Sequence, residues 1–163
     1  MRLKKRIQIG ALAGLGCAVA FTGVSLASSH GDHEKHEEKL TGVYYERHET
    51  MEDFRDYVKP TVAMLKGEAA FDLAAVKSGA ADIAEHSGDA LLELFPEGTN
   101  EGKSESLDNI WTDWAGFTEA AALLKTRAEA VAAAEDQASA TGAFIAMTKA
   151  CGGCHETYRK EEK

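Results

Sequence analysis

Apolar side chains recur at steps of three or four residues over much of this 163-residue chain, which predicts amphipathic helices. The first stripe is formed by Leu40, Tyr44, Met51, Phe54, Val58, Val62 and Leu65. Arg47 fills one position of that stripe. Pro60 is expected to kink this first helix or to split it near Lys59, and Gly67 is expected to end it.

Two further helices are predicted in the middle of the chain. The second runs from about Glu68 to Ser87, and its inward candidates are Phe71, Ala74, Ala75, Ile83 and Ala84. After residues 91–95, which could extend or repack its end, a loop is predicted from Phe95 to Gly102. The third helix is expected to be capped by Ser104 or Ser106 and to continue to about Glu135. Its stripe consists of Ile110, Trp111, Trp114, Phe117, Ala121, Leu124 and Ala128.

A fourth helix is predicted from near Gln137 to about Tyr158. Its stripe consists of Ala140, Phe144, Met147, Cys151, Cys154 and Tyr158. No window shows the alternation that is typical of a strand. Four helices joined mostly by short loops predict an all-α, antiparallel four-helix bundle over residues 40–163.

The first 27 residues predict a secretory signal peptide that is cleaved near Ala27. A basic start from Met1 to Arg6 precedes an uncharged, largely apolar run, and small residues follow at 25–27. The alternative is an uncleaved membrane anchor, because about 20 apolar residues just span a bilayer. Cys17 lies inside this segment and is assigned no role. Export is therefore expected, with a periplasmic location.

Residues 28–39 are polar and charged, and they predict a disordered leader. His30, His33 and His36 repeat every third residue in it, which could form a weak zinc or copper site. A solvated tail is favoured, because no thiol accompanies the histidines.

The charge of the chain argues against two kinds of partner. The formal net charge is −9, and loss of the signal removes four of the 18 basic residues but none of the 27 acidic ones, which leaves −13. An acidic surface argues against nucleic acid and against an anionic membrane. It suits a positively charged redox partner, although simple solubility explains it equally well.

The most informative motif is Cys151-Gly152-Gly153-Cys154-His155, eight residues before the last residue. This C-x-x-C-H pattern is typical of covalent c-type haem attachment, in which two thiols form thioethers and the histidine binds iron. On a helix, positions i, i+3 and i+4 share one face and can meet one flat macrocycle. A redox dithiol would be expected in a βαβ context, and a zinc site would need two further ligands. Neither is visible in the sequence.

With its motif on a last helix, the chain resembles the class II cytochromes c, which comprise cytochrome c′ and its low-spin relatives of the cytochrome c-556 type. The resemblance spans about residues 40–160. It is carried by the segments Tyr45–Met51, Phe95–Thr99, Ile110–Asp113 with Phe117, and Cys151–Arg159. It implies one covalent haem c held by Cys151 and Cys154, with His155 as the proximal iron ligand, and relatives of this class are often homodimers.

The resemblance makes Met51 the candidate for the sixth coordination position of the iron. Met51 occupies the family's distal position by its spacing from Arg47. If Met51 binds iron, the haem is six-coordinate and suits electron transfer. If Met51 only packs, the iron is five-coordinate and suits NO or CO. His48 is a weaker distal candidate. Arg47 and Arg159 are expected to contact the haem propionates, with surface ion pairing as the alternative.

The sequence shows no nucleophile with a general base and no phosphate loop, so no enzyme is predicted. The expected function is single-electron transfer by a periplasmic monohaem cytochrome. A gas-binding cytochrome c′ and a haem-free bundle that binds metal through its histidines are the two alternatives.

Overall fold

A computed structural model describes residues 41–161, and all of its regular elements are helices. They are α1 (Val43–Leu65), α2 (Leu73–Glu85), α3 (Asp89–Leu92), α4 (Asn109–Thr112), α5 (Trp114–Ala132) and α6 (Gln137–Tyr158). The four long helices α1, α2, α5 and α6 form the predicted all-α bundle, and the short α3 and α4 lie in the connection between α2 and α5. The predicted signal peptide, the histidine-containing leader and Leu40 lie outside the described residues.

The sequence predicted that Pro60 would either kink the first helix or split it near Lys59, and the split is wrong. The helix runs unbroken from Val43 to Leu65, with Pro60 on its exposed side. A proline removes one backbone hydrogen bond, and packing of the rest of the helix offsets that loss. The buried hydroxyl of Thr61 donates to the carbonyl of Tyr57 over 3.0 Å directly beside the proline.

The second helix begins later than predicted. Asp72 caps it by accepting a hydrogen bond from the backbone N–H of Ala75 at 3.1 Å, so residues 66–72 form a connection instead of a helical turn. The predicted inward face is also partly wrong, because Ala74 and Ala75 are exposed. The residues of this helix that are buried are Val76, Ala80, Ile83 and Ala84.

The predicted third helix is broken at Asp113. This residue has a non-helical backbone, and its side chain accepts a hydrogen bond from Gly116 N at the start of α5. Ser104 and Ser106 cap no helix and instead lie buried in the segment before α4. The last helix matches its predicted bounds, and a capping box between Asp136 and Ser139 starts it.

Two buried clusters form the core. The first cluster lies among α2, α5 and α6 and consists of Val76, Ala80, Ile83, Ala84, Leu124, Ala128, Val131, Ala134, Ala140, Phe144 and Met147. The second cluster consists of Leu91, Phe95, Ile110, Phe117, Ala121 and Tyr158. Both clusters include residues of α5 and α6, so these two helices carry the core from one cluster to the other.

Among residues 41–161, no helix has the length and the apolar character that crossing a membrane requires.

Candidate haem attachment site

The C-x-x-C-H motif lies in the last two turns of α6. Cys151 and Cys154 are free and half-buried, whereas His155 is exposed. Cys151 packs against the first cluster and Cys154 against the second. The two thiols therefore contact two different parts of the apolar core.

Both thiols have raised pKa values because they are buried. Burial raises the pKa of the Cys151 thiol and raises the pKa of the Cys154 thiol to about 11. Reactive redox dithiols instead have lowered pKa values and an electropositive setting. In the described part of the chain, no group of three or more His, Cys, Asp or Glu side chains could hold a metal ion. Neither alternative use of the cysteines gains support.

The glycines of the motif leave open space beside the attachment helix. A Cβ atom added to Gly152 or Gly153 would meet no atom of the described chain within 4 Å. At Gly79 and Gly116, by contrast, the space beside the backbone is filled by Tyr57 and by Asp113 with Tyr158. The polypeptide itself does not require glycine at 152 and 153. Open space here fits the approach of a porphyrin edge to the backbone, and the residues present fit the group.

Met51 shares a buried cluster with Cys154, the second predicted anchor. Its side chain is partly buried on α1 and packs against the second cluster, as does Cys154. His48 is exposed. Of the two distal candidates, the structure thus brings Met51, and not His48, to the cluster that the attachment helix contacts.

Arg47 is directed toward the loop that follows α3. Its guanidinium donates to the carbonyls of Leu94 and Thr99, both at 2.5 Å, and to the hydroxyl of Thr99. It also lies over the Phe95 ring, 4.2 Å from the centroid. Burial lowers the pKa of Arg47 from its ordinary value, although an arginine remains charged at neutral pH. A contact of Arg47 with a haem propionate stays a prediction. Three of the five N–H donors of the guanidinium are already directed at the loop.

Arg159 lies just after the motif helix. Its Nε donates to Glu105 at 2.8 Å, and its backbone pairs with Ser106 in an isolated antiparallel bridge. The ion pair that the sequence left as the alternative is therefore present. A contact of Arg159 with a propionate remains a prediction.

The segment before α4 holds the end of the motif helix in place. The backbone N–H of Leu107 donates to the carbonyl of Tyr158 at 2.9 Å, and Asn109 Nδ2 donates to the carbonyl of Thr157 at 2.7 Å. Lys160 Nζ donates to the carbonyl of Ser104 at 2.7 Å. These bonds lie within five residues of His155, so they fix the position of the helix turn that carries it.

Sequence reasoning missed Asp113 as a residue that positions this helix. Asp113 Oδ2 accepts a hydrogen bond from the Tyr158 hydroxyl at 2.7 Å, while Oδ1 caps α5. An aspartate directly before Trp114-Ala115-Gly116 is a helix-start signal that could have revealed the break. Its bond to Tyr158 joins residues 45 positions apart and has no local signal.

An all-α bundle with C-x-x-C-H on its last helix defines a c-type cytochrome of class II. The family model described as Cytochrome C' matches residues 43–159. The chain belongs to this family, whose members are non-enzymatic haem proteins and typically periplasmic. Membership implies covalent haem c.

Individual relatives agree with this assignment. The chain is 34% identical to cytochrome c' of Rhodopseudomonas palustris over 124 residues, which cover 75% of this chain and 84% of that protein. It is 38% identical to cytochrome c-556 of Agrobacterium tumefaciens (strain B2A) over 99 residues, which cover 60% and 80%. The solved structure of the Rhodopseudomonas palustris cytochrome c' aligns with a TM-score of 0.70 at 32% identity, over 76% of this chain and 100% of that one.

Proposed function

We propose that this chain is a periplasmic monohaem cytochrome that carries single electrons. The haem supplies one-electron Fe(III)/Fe(II) chemistry when bound. Cys151 and Cys154 anchor it through thioethers, and His155 is the proximal ligand. The half-buried position of both thiols against the apolar core supports this assignment.

Met51 is proposed as the distal iron ligand. The observation that carries this assignment is the packing of Met51 and Cys154 against the same buried cluster, although they lie on different helices. Cys154 is adjacent in sequence to His155. A methionine paired with a histidine raises the reduction potential of haem, which suits an electron carrier.

Binding of NO or CO at a five-coordinate iron is the second candidate. The packing of Met51 against the second cluster also favours this candidate, because it gives Met51 the apolar surroundings of an ordinary core methionine. The relatives include proteins named cytochrome c' and proteins named cytochrome c-556, so the comparisons support the two candidates about equally.

An absorption spectrum of the reduced protein, recorded with and without CO, separates the two functions. We expect a low-spin spectrum that CO leaves unchanged, and conversion of Met51→Ala to a high-spin form that binds CO. Met64→Ala is the matched control, because Met64 is a partly buried methionine of the same helix that packs against the first cluster. A high-spin, CO-responsive spectrum of the unmodified protein would show the gas-binding form instead.

Covalent attachment is tested by denaturing the protein in alkaline pyridine. Expressed with haem-attachment machinery, the protein is expected to keep one haem per chain after denaturation. Replacement of both Cys151 and Cys154 by alanine is expected to abolish this retention. Haem that is extracted from the unmodified protein, or the complete lack of haem, would contradict the proposal.

Export and partner choice complete the proposed function. The mass of the protein from the periplasm should correspond to a chain that starts near Ser28, since cleavage is proposed near Ala27.

A basic redox partner, and not nucleic acid, is proposed for a mature chain of net charge −13. Electron transfer to a basic partner protein should slow as ionic strength rises. A homodimer, proposed from the resemblance, should appear in sedimentation as twice the chain mass.

A further inference from the structure

The most deeply buried charged side chain among residues 41–161 belongs to Arg47, which is 7% exposed. Its three hydrogen bonds all end on Leu94 and Thr99, two residues that flank one short loop. The ion pairs resolved in the same part of the chain involve other arginines. Arg47 is therefore a buried cation that is satisfied mainly by backbone and hydroxyl oxygens of the loop.

The loop folds around this guanidinium. The Thr99 hydroxyl donates to the carbonyl of Pro96 at 2.6 Å, and Trp111 Nε1 donates to the carbonyl of Phe95 at 3.1 Å. Gly98 turns the chain at φ +79°, where other residues are strained. These bonds fix the loop internally or to α4. The guanidinium of Arg47 ties the loop to α1.

Arg47 precedes Met51 by one helical turn, so both lie on the same face of α1. The guanidinium lies over Phe95, which belongs to the second cluster, and Met51 packs against that cluster. The helix starts at Gly42 without a side-chain cap. The bonds of Arg47 are thus the main polar attachment of the N-terminal half of α1 to the rest of the described chain.

We infer that Arg47 is a positioning residue that locks α1 to the loop Leu94–Thr99 and so holds Met51 in place to bind iron. The inference rests on the proposed Met51 ligation. It gives Arg47 a role through Met51, which differs from the expected direct contact with a propionate. The two roles need different partners of the side chain. The lock needs the acceptors of the loop, whereas a contact with a propionate needs the guanidinium alone, because a carboxylate also engages its fork.

Thr99→Val separates these roles, because it removes the hydroxyl partner of the lock and leaves the Arg47 guanidinium intact. Arg47→Lys affects both roles, because lysine keeps the charge but cannot reproduce three bonds from three nitrogens. A hydrogen bond to a charged group contributes enough to shift an equilibrium by about tenfold or more. At a CO concentration that leaves the spectrum of the unmodified protein unchanged, both variants of the holoprotein are therefore expected to bind CO, with an affinity at least about tenfold higher, through release of Met51. Arg55→Lys, on the exposed side of the same helix, is the matched control and should show no change.

Wild-type CO binding in Thr99→Val would overturn the lock, even if Arg47→Lys binds CO more tightly. Thermal unfolding of each holoprotein shows whether a variant is merely less stable. A lowered Tm with unchanged CO affinity in both variants also contradicts the inference. If Met51→Ala itself leaves the spectrum unchanged, the ligation proposal fails separately. The lock to the loop is then decided by limited proteolysis, which should cleave within residues 96–102 faster in Arg47→Lys than in Arg55→Lys.

Discussion

The hydroxyl of Tyr158 lies 2.7 Å from Asp113 Oδ2, and this bond ties the end of the attachment helix α6 to the start of α5. The Tyr158 ring packs edge-on against Phe117, with centroids 5.2 Å apart. A Cβ atom on Gly116 would lie 2.5 Å from both the carboxylate and the hydroxyl, so a glycine is needed beside this bond. Tyr158 follows His155 by three residues, and its anchoring therefore limits the movement of His155, the proposed proximal ligand.

Replacement of Tyr158 by phenylalanine keeps the ring and removes this bond. Asp113 would lose a partner, and the free energy of unfolding is expected to fall by about 1–3 kcal/mol. Urea unfolding measures the change. Tyr45→Phe is the control, because Tyr45 is 44% exposed, and it should change the stability by less than about 0.5 kcal/mol. Equal effects of the two substitutions would show that the bond to Asp113 does not stabilise the fold.

The stability of the protein should decrease at alkaline pH. The hydrogen bond to Asp113 raises the pKa of Tyr158 to about 12, and burial raises the pKa of Tyr57 to about 12. In the unfolded chain, tyrosine has a pKa of about 10. Between these values the folded state binds more protons than the unfolded state, so the stability is complete below about pH 10 and falls as the pH rises toward 12.

Urea unfolding from pH 8 to 11.5 tests this dependence. The fall should be shallower in Tyr158→Phe and in Tyr57→Phe, because each variant lacks one of the two titrating groups. An unchanged slope in both variants would assign the alkaline instability to other groups.

Gly79 is required by the packing of α1 on α2. A Cβ atom at this position would overlap the ring of Tyr57, whose hydroxyl donates to the carbonyl of Val76 at 2.8 Å. Gly79→Ala is therefore expected to lower the free energy of unfolding by about 1–3 kcal/mol, despite the better helix propensity of alanine. Gly142 is the matched control, since it is an exposed helical glycine with open space around it. Gly142→Ala should stabilise the protein by about 0.5–1 kcal/mol, and thermal unfolding should move the two variants in opposite directions.

The two core clusters should contribute differently to the haem site. Phe117 is buried in the second cluster with Met51 and Cys154 beside it, and Phe144 is equally buried in the first. Phe117→Leu and Phe144→Leu should each lower the free energy of unfolding by about 1–2 kcal/mol. Only Phe117→Leu is expected to increase CO binding, because it loosens the packing of Met51. Equal CO binding by the two variants would contradict a specific link between the second cluster and the iron ligand.

Local sequence patterns predicted the elements with local causes. The α6 bounds followed from an apolar stripe, and α1 was located by the same periodicity. The errors at Pro60 and at the start of α2 have different causes. Whether a helix continues through a proline depends on packing by its neighbours, which is not local information. The start of α2 has a local signal, the cap at Asp72, which the sequence analysis did not use. The break at Asp113 stabilises α5 through a cap and α6 through Tyr158.

The sequence by itself determined the chemistry of this protein. C-x-x-C-H on a helix predicts haem attachment and one iron ligand, because the spacing alone places three side chains on one face. Only the tertiary structure decided what surrounds that face. Packing set Cys151 and Cys154 against two different clusters, placed Met51 beside one of them, and directed Arg47 to Leu94 and Thr99. These contacts join residues about 50 or 100 positions apart, and the burial of apolar surface that creates them is a property of the whole bundle.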